Sequence, residues 1–311
     1  MNSKAGAYVA AIIAAALWGG NFVAVKLALG HLDPYLLTAA RFAFAAALLP
    51  LVGWPTVSLS TLFVYALCSG IGQYLLSTVA IQLGLSPGIA ALLMQFQVFI
   101  SLFLSWAMLG ETILFTTLIG SVLGLAGLVG VLATGHDKTP LLGSAVCLLA
   151  AAAWAFANLT LRRTTGSVAQ LQSASALACL PVVCLIRPVL LPDAPPIGEA
   201  LVHLPVSAYA AIAYIVIASF AVAQVLWGRA IKAIGVAAVS PVALLIPVCG
   251  VSLAWLVLDE RMSIQLMAAV GTVLVGVALH LIPLAVRRTS ARTQDSRTLS
   301  PAPSTASKEV P

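Results

Sequence analysis

The chain has 311 residues, of which 61% are hydrophobic and 8% charged, and its mean hydropathy is +1.09. An ordinary soluble domain carries about 25% charged residues, so these figures exclude that class and indicate a polytopic membrane protein. The net charge of +6 comes from bases in short loops and in the stretch after Val286, where they read as topology signals rather than as affinity for nucleic acid.

The first apolar run, about Ala7 to Leu29, has no charge until Lys26 and places Leu17-Trp18-Gly19-Gly20-Asn21-Phe22 at its middle. It is too long for a signal-peptide core and reads as a retained first span. About 20 apolar residues cross a bilayer, so Asn21 falls near mid-depth, where an unpaired amide is costly. Two readings stand for this stretch. In one, Asn21 bonds a neighbouring helix that the glycines admit closely; in the other, Trp18 and Asn21, three residues apart on one face, look into a pathway. An echo at Trp154-Ala155-Phe156-Ala157-Asn158, with Lys26 and Arg162 each eight residues after its Trp, favours a duplicated architecture with a shared centre.

In chain order, ten helical runs are expected at 7–29, 34–52, 60–82, 87–109, 113–133, 140–161, 168–190, 206–228, 236–257 and 263–285. Pro34, Pro87 and Pro140 open helices, where a missing N–H costs nothing, whereas Pro241 and Pro247 lie inside the ninth run and should kink it or free carbonyls toward a cavity. In the third run Ser69, Gln73 and Ser77 recur every four residues as a polar stripe. The five cysteines are odd in number and lack metal-ligand spacing, which indicates free thiols packed as small apolar residues.

If the N-terminus is cytoplasmic, Lys4, Arg162, Arg163, Arg229, Lys232, Arg287 and Arg288 lie inside and Lys26, Lys138, Arg187 and Arg261 outside. Seven against four favours both termini inside. Trp106 to Glu111 matches Trp255 to Glu260 at an offset of 149, and the same offset pairs Leu104 with Leu253, Leu125 with Leu274 and Gly127 with Gly276. The expected organisation is therefore two five-helix repeats, 7–133 and 140–285, followed by a disordered cytoplasmic tail, 286–311. Five being odd, the halves enter the membrane from opposite sides, an inverted repeat.

These residues resemble the drug/metabolite transporter superfamily of the ten-helix EamA type. The likeness rests on Trp18-Gly19-Gly20-Asn21-Phe22 with Lys26, on Pro34 and Arg41, on Leu109-Gly110-Glu111 and on Leu258-Asp259-Glu260-Arg261. Met94-Gln95-Phe96-Gln97 after Gly88-Ile89-Ala90-Ala91-Leu92, with the stretch from Pro241 to Gly250, is similar to the bacterial O-acetylserine/cysteine exporter branch. The resemblance implies an inner-membrane exporter of small metabolites, with a central cavity lined from both repeats and the fifth and tenth helices peripheral.

Mid-span amides supply the hydrogen-bonding groups a polar solute needs. The expected substrate-binding set is Trp18, Asn21, Gln73, Gln95, Trp154, Asn158 and Gln224, with Phe220 and Trp227 as further aromatic platforms. Gln95 and Gln97 are two apart and point to nearly opposite sides, so one of them lines the cavity. Arg41 either attracts a substrate carboxylate or, the preferred reading, bonds helix-end carbonyls or snorkels to the nearer surface. Glu111 and Glu260 are expected to pin helix ends, and Pro241 and Pro247 to act as a hinge. No carboxylate falls at mid-membrane, which points to weakly coupled or gradient-driven efflux. The four histidines are scattered and no nucleophile, metal cluster or acid pair gathers, so an enzyme is not expected; nor is any cofactor, metal or nucleic-acid partner. The partners expected are a small-molecule substrate and the bilayer, for a monomer or homodimer exporting amino acids such as cysteine or O-acetylserine by alternating access. Other amino acids, drugs or metabolites, or a passive channel, are the alternatives.

Overall fold

The computed structural model describes residues 4–85, 90, 93–133, 140–202, 204–258 and the positions 268, 271–272, 274–276 and 278–279. Pro87, Asp259, Glu260, Arg261, His280 and the tail from 286 lie outside the described residues. Every regular element among the described residues is helical. The rods are α1 (Lys4–Leu29), α2 (Pro34–Val52), α3 (Leu59–Gln82), α4 (Phe96–Leu109), α5 (Phe115–Ala133), α6 (Leu141–Arg163), α7 (Val168–Leu190), α8 (Val206–Ile234) and α9, which begins at Val236 and ends at Leu258. Six of them, α1, α2, α3, α6, α7 and α8, are long and apolar enough to cross a membrane. The described positions from 268 onward are also helical, and Gly276 packs against Gly120 and Gly124 of α5 closely enough that a Cβ would strike backbone.

Local chemistry sets several boundaries. Asp33 caps α2, accepting from Leu36 N at 2.9 Å, with Pro34 in the first turn. Within α2 the helix is interrupted at Leu48. The eighth run extends six residues beyond its expected end, to Ile234, where Gly235 at φ +96° stops it. The ninth run is broken as the two prolines require. Val236–Val239 is α-helical, Ser240–Leu244 is a 3-10 segment beginning beside Pro241, and Leu245–Leu258 resumes the α-helix with Pro247 in its first turn.

Two wide π-helical segments were not foreseen: Ala66–Leu75 in α3 and Tyr214–Val222 in α8. They start 148 residues apart and occupy the third rod of each half, so the duplication is visible in backbone geometry as well as in sequence. Their i→i+5 pattern also corrects the expected stripe of Ser69, Gln73 and Ser77. A wider turn takes four-residue neighbours out of register, and Ser69 is buried away from the cavity that Gln73 and Ser77 line.

Helix packing follows an exchange between halves. The first rod of one half, α1, packs on α8 and α9; the first rod of the other, α6, packs on α3 and α4. Between them α2 packs along α7, α2 also meets α8, and α7 meets α3. Each contact thus has a counterpart of the same kind in the other half. Large apolar side chains such as Leu51, Phe63, Leu141, Leu185 and Val206 stand exposed on the outer surface, an apolar girdle that a water-soluble monomer does not carry and a bilayer accepts.

Candidate functional site

A cavity enclosing about 930 Å³, counting the part open to the surroundings, lies between the two halves. It is walled by Trp18, Asn21, Val25 and Leu29 of α1, Leu37, Thr38 and Arg41 of α2, and Gln73, Tyr74, Ser77, Thr78 and Ile81 of α3. Ala90, Met94 and Gln95 ahead of α4, Trp154 of α6, Ser219 of α8 and Ile246 of α9 complete it. Along α1 the wall climbs from Trp18 to Leu29, about 16 Å, toward the α1–α2 turn. Below Trp18 the molecule is solid: Ala7, Ala11, Ala14 and Ala15 share one core cluster with Tyr65, Leu161, Trp227 and Val236. The cavity is therefore shut at the end where α1 begins.

Three tryptophans form the floor. The Trp18 and Trp154 rings meet edge-on at 5.3 Å, and Trp227 lies 5.2 Å from Trp18 and 6.2 Å from Trp154. Trp18 donates its indole N–H to Ser219 O at 2.9 Å, a carbonyl inside the second π segment. Gln172 Nε2 donates to the next carbonyl, Phe220 O, at 3.0 Å. The wide helix thus turns carbonyls outward, where they tether α1 and α7. The glycines beside Trp18 make the tether reachable: a Cβ on Gly19 would strike Cys249, and one on Gly20 the hydroxyl of Tyr214, which donates to Leu17 O at 2.9 Å. Both readings of the Trp-Gly-Gly-Asn stretch hold together, since the glycines serve packing while Trp18 and Asn21 line the cavity.

The wall is polar at one level. Asn21 Oδ1 accepts from Arg41 Nη2 at 3.3 Å and from Ser219 Oγ at 3.0 Å. Arg41 is 7% exposed and its guanidinium sits 5.4 Å from the Tyr74 ring centre. Among the described residues its hydrogen bond goes to the Asn21 amide rather than to a helix-end carbonyl. Arg41 Nε, Gln73 Oε1 and Trp154 Nε1 are buried without a hydrogen-bond partner among the described residues.

Of the seven expected substrate residues, Trp18, Asn21, Gln73, Gln95 and Trp154 line the cavity. Asn158 and Gln224 are placed behind it. Asn158 donates to Gln97 Oε1 at 3.4 Å and accepts from Trp227 Nε1 at 3.1 Å; Gln224 accepts from Tyr74 OH at 3.3 Å and donates to Tyr65 OH at 3.2 Å. Gln95 is the member of its pair at the cavity, while Gln97 serves Asn158 and Ser101. Phe220 stacks at a tilt between Tyr74 and Phe42. Tyr74 and Ser219 join the wall without having been singled out, because a helical phase read from sequence does not include the two π segments, and Thr38 of α2 joins them.

Two ion-pair layers bracket the cavity. Toward the α1–α2 turn Arg187 of α7 meets Asp33 at 2.9 Å and donates to Pro195 O at 2.9 Å. On the closed side Glu111 accepts from Arg162 Nε at 3.2 Å, Val236 N at 3.3 Å and Ala237 N at 2.8 Å. It caps α9 from the end of α4, pinning helix ends as its position in sequence implies. Arg162 also donates to Lys232 O at 2.7 Å, and Lys232 to Gly166 O. Four rods are tied at this point. All five cysteines are free thiols.

The chain matches the EamA-like transporter family twice, over residues 5–133 and 141–282. It belongs to that family. It is a multi-pass membrane protein of a transporter class, and the double match is the family's own two-repeat plan. Among curated relatives, a "Probable amino-acid metabolite efflux pump" of Escherichia coli strain K12 is 28% identical over 298 residues, covering 93% of this chain and 98% of the relative. One of the same name from Salmonella typhimurium is 27% identical over 289 residues, covering 90% and 96%. A crystal structure described only as that of a protein shares the fold, with a TM-score of 0.73 at 21% identity over 90% of this chain and 98% of its own.

Proposed function

We propose that this EamA-family chain is an inner-membrane secondary transporter exporting small amino-acid metabolites, cysteine and O-acetylserine foremost, by alternating access. In this reading ten helices form two inverted five-helix halves, 7–133 and 140–285, with both termini and the tail 286–311 in the cytoplasm. The observation that carries it is the cavity itself: a polar wall of Asn21, Arg41, Gln73, Tyr74 and Gln95, open toward the α1–α2 turn and shut on the other side by the tryptophan floor. With a cytoplasmic N-terminus the end toward the α1–α2 turn is the external one, and in this reading the cavity belongs to an outward-facing stage of an export cycle. The names of the two bacterial relatives support the amino-acid class. The three neutral amides Asn21, Gln73 and Gln95 exchange hydrogen bonds with a solute at little cost, which suits release as well as capture.

The alternative of a cationic drug is disfavoured by Arg41, the one charged side chain among the described lining residues. A second positive charge about 4 Å away, in surroundings of effective dielectric about 20, would meet roughly 4 kcal/mol of repulsion. Expression in cells lacking their own exporters is expected to raise extracellular cysteine or O-acetylserine and to confer tolerance to excess cysteine. Metabolite profiles of medium and cell extract, with and without the protein, check this. Export of neither compound alongside a cationic drug would refute the amino-acid reading.

A further inference from the structure

The protein shows what its structural arginines look like. Arg187 and Arg162 each meet a carboxylate, Asp33 and Glu111, and each adds a backbone carbonyl, Pro195 O or Lys232 O. Arg41 has neither. It is more deeply set than Arg162, its one described hydrogen bond is to the neutral Asn21 Oδ1 at 3.3 Å, its other neighbour is the face of Tyr74, and its Nε is buried without a partner. A buried cation lacking a counter-ion is unfavourable unless something anionic joins it. Arg41 also stands in the wall of the central cavity, so the joining group can arrive from there.

We propose that Arg41 is the anchor for the carboxylate of the transported solute and so sets the substrate class, an inference that rests on the exporter reading above. The guanidinium is a planar fork whose edges accept a carboxylate through charge-assisted hydrogen bonds. Asn21 occupies Nη2 and fixes the plane, Tyr74 backs its face, and the edge of the fork that faces the cavity is left to the ligand. Gln73 Oε1, the unpartnered acceptor of the same wall, suits the ammonium end of an amino acid. Because Asn21 already provides part of the solvation, the anchor is left weak enough to let go.

The test compares carboxylates with their carboxamides, which match in shape and lack the charge. Dissociation constants are measured by calorimetry on the purified full chain in lipid nanodiscs for two pairs: O-acetylserine and its amide, and propionate and propionamide. Wild type is expected to favour the acid about tenfold to a hundredfold. Arg41→Gln should bring that ratio near unity while leaving amide affinity in place, and Arg41→Lys should retain an intermediate preference. A purely structural Arg41 would weaken acid and amide alike, or leave the ratio untouched in Arg41→Gln; either result overturns the proposal. Should Arg41→Gln not fold, the wild-type ratio and Arg41→Lys decide, and an absent acid preference in wild type overturns it equally. The two readings separate cleanly. Binding of propionate without O-acetylserine would sink the amino-acid reading and keep the anchor, whereas O-acetylserine and its amide binding equally would do the reverse.

Discussion

Replacing Glu111 with alanine is expected to loosen the closed end of the molecule more than any other single polar change. Its carboxylate holds Val236 N, Ala237 N and Arg162 Nε at once, joining the end of α4 to α6 and to the start of α9. The cap alone is worth about 1 kcal/mol, and a hydrogen bond to a charged group about 1.5–3 kcal/mol. Arg162 is partly exposed and its share is screened, so a total near 3 kcal/mol is reasonable. Gly235 enforces the arrangement: its φ is +96° and a Cβ there would strike the Glu111 carboxylate, so no larger residue fits beside the cap. Thermal unfolding in detergent checks the stability. A cysteine placed at Val239 checks the seal, staying unreactive to a membrane-impermeant maleimide in the parent and becoming labelled in Glu111→Ala. Glu111→Gln, which keeps one acceptor, should fall between.

The second large effect is expected at Trp227. This side chain is fully buried, touches both Trp18 and Trp154, and donates to Asn158 Oδ1 at 3.1 Å. Trp227→Ala removes the packing under the cavity floor and strands Asn158. The cost should be about 3 kcal/mol, the low end for such a deletion, because lipid is as apolar as the core and supplies no separate hydrophobic drive. Trp227→Phe keeps most of the bulk and loses the N–H bond, about 1–3 kcal/mol for the buried acceptor left behind. Expression, melting temperature and leak of the solute through reconstituted vesicles read the outcome. A leak in the alanine variant without one in the phenylalanine variant would identify bulk, rather than the hydrogen bond, as what closes the floor.

Much of the fold was readable from sequence for a physical reason. Bilayer thickness fixes the length of apolar runs, and prolines and glycines mark their ends, so most rods fall within a few residues of expectation. The site was readable only in part. Trp18 and Asn21 are three residues apart, whereas Trp154 and Asn158 are four apart. One extra residue turns a helix by about 100°, which carries Asn158 off the cavity and into the bonds of Trp227 and Gln97. The repeat of the motif therefore brings the second tryptophan to the cavity wall and leaves the amide behind it. Arg41 and Arg187 are each a lone base in an apolar run, Arg187 near the end of its own; the tertiary structure shows that, among the described residues, Arg187 meets a carboxylate and Arg41 does not. The π segments left no compositional trace, and with them Tyr74 and Ser219 stayed hidden.

The central claim is that the cavity between the halves is the substrate site of a carrier. Counterflow in proteoliposomes tests it most directly, with unlabelled O-acetylserine inside and a trace of labelled compound outside. A carrier working by alternating access predicts transient accumulation of label that saturates with concentration and is reduced about tenfold in Asn21→Leu, which keeps bulk and removes the dipole facing Arg41 and Ser219. Label that only equilibrates, without saturation and unaffected by Asn21→Leu, would contradict the account and establish a passive pore.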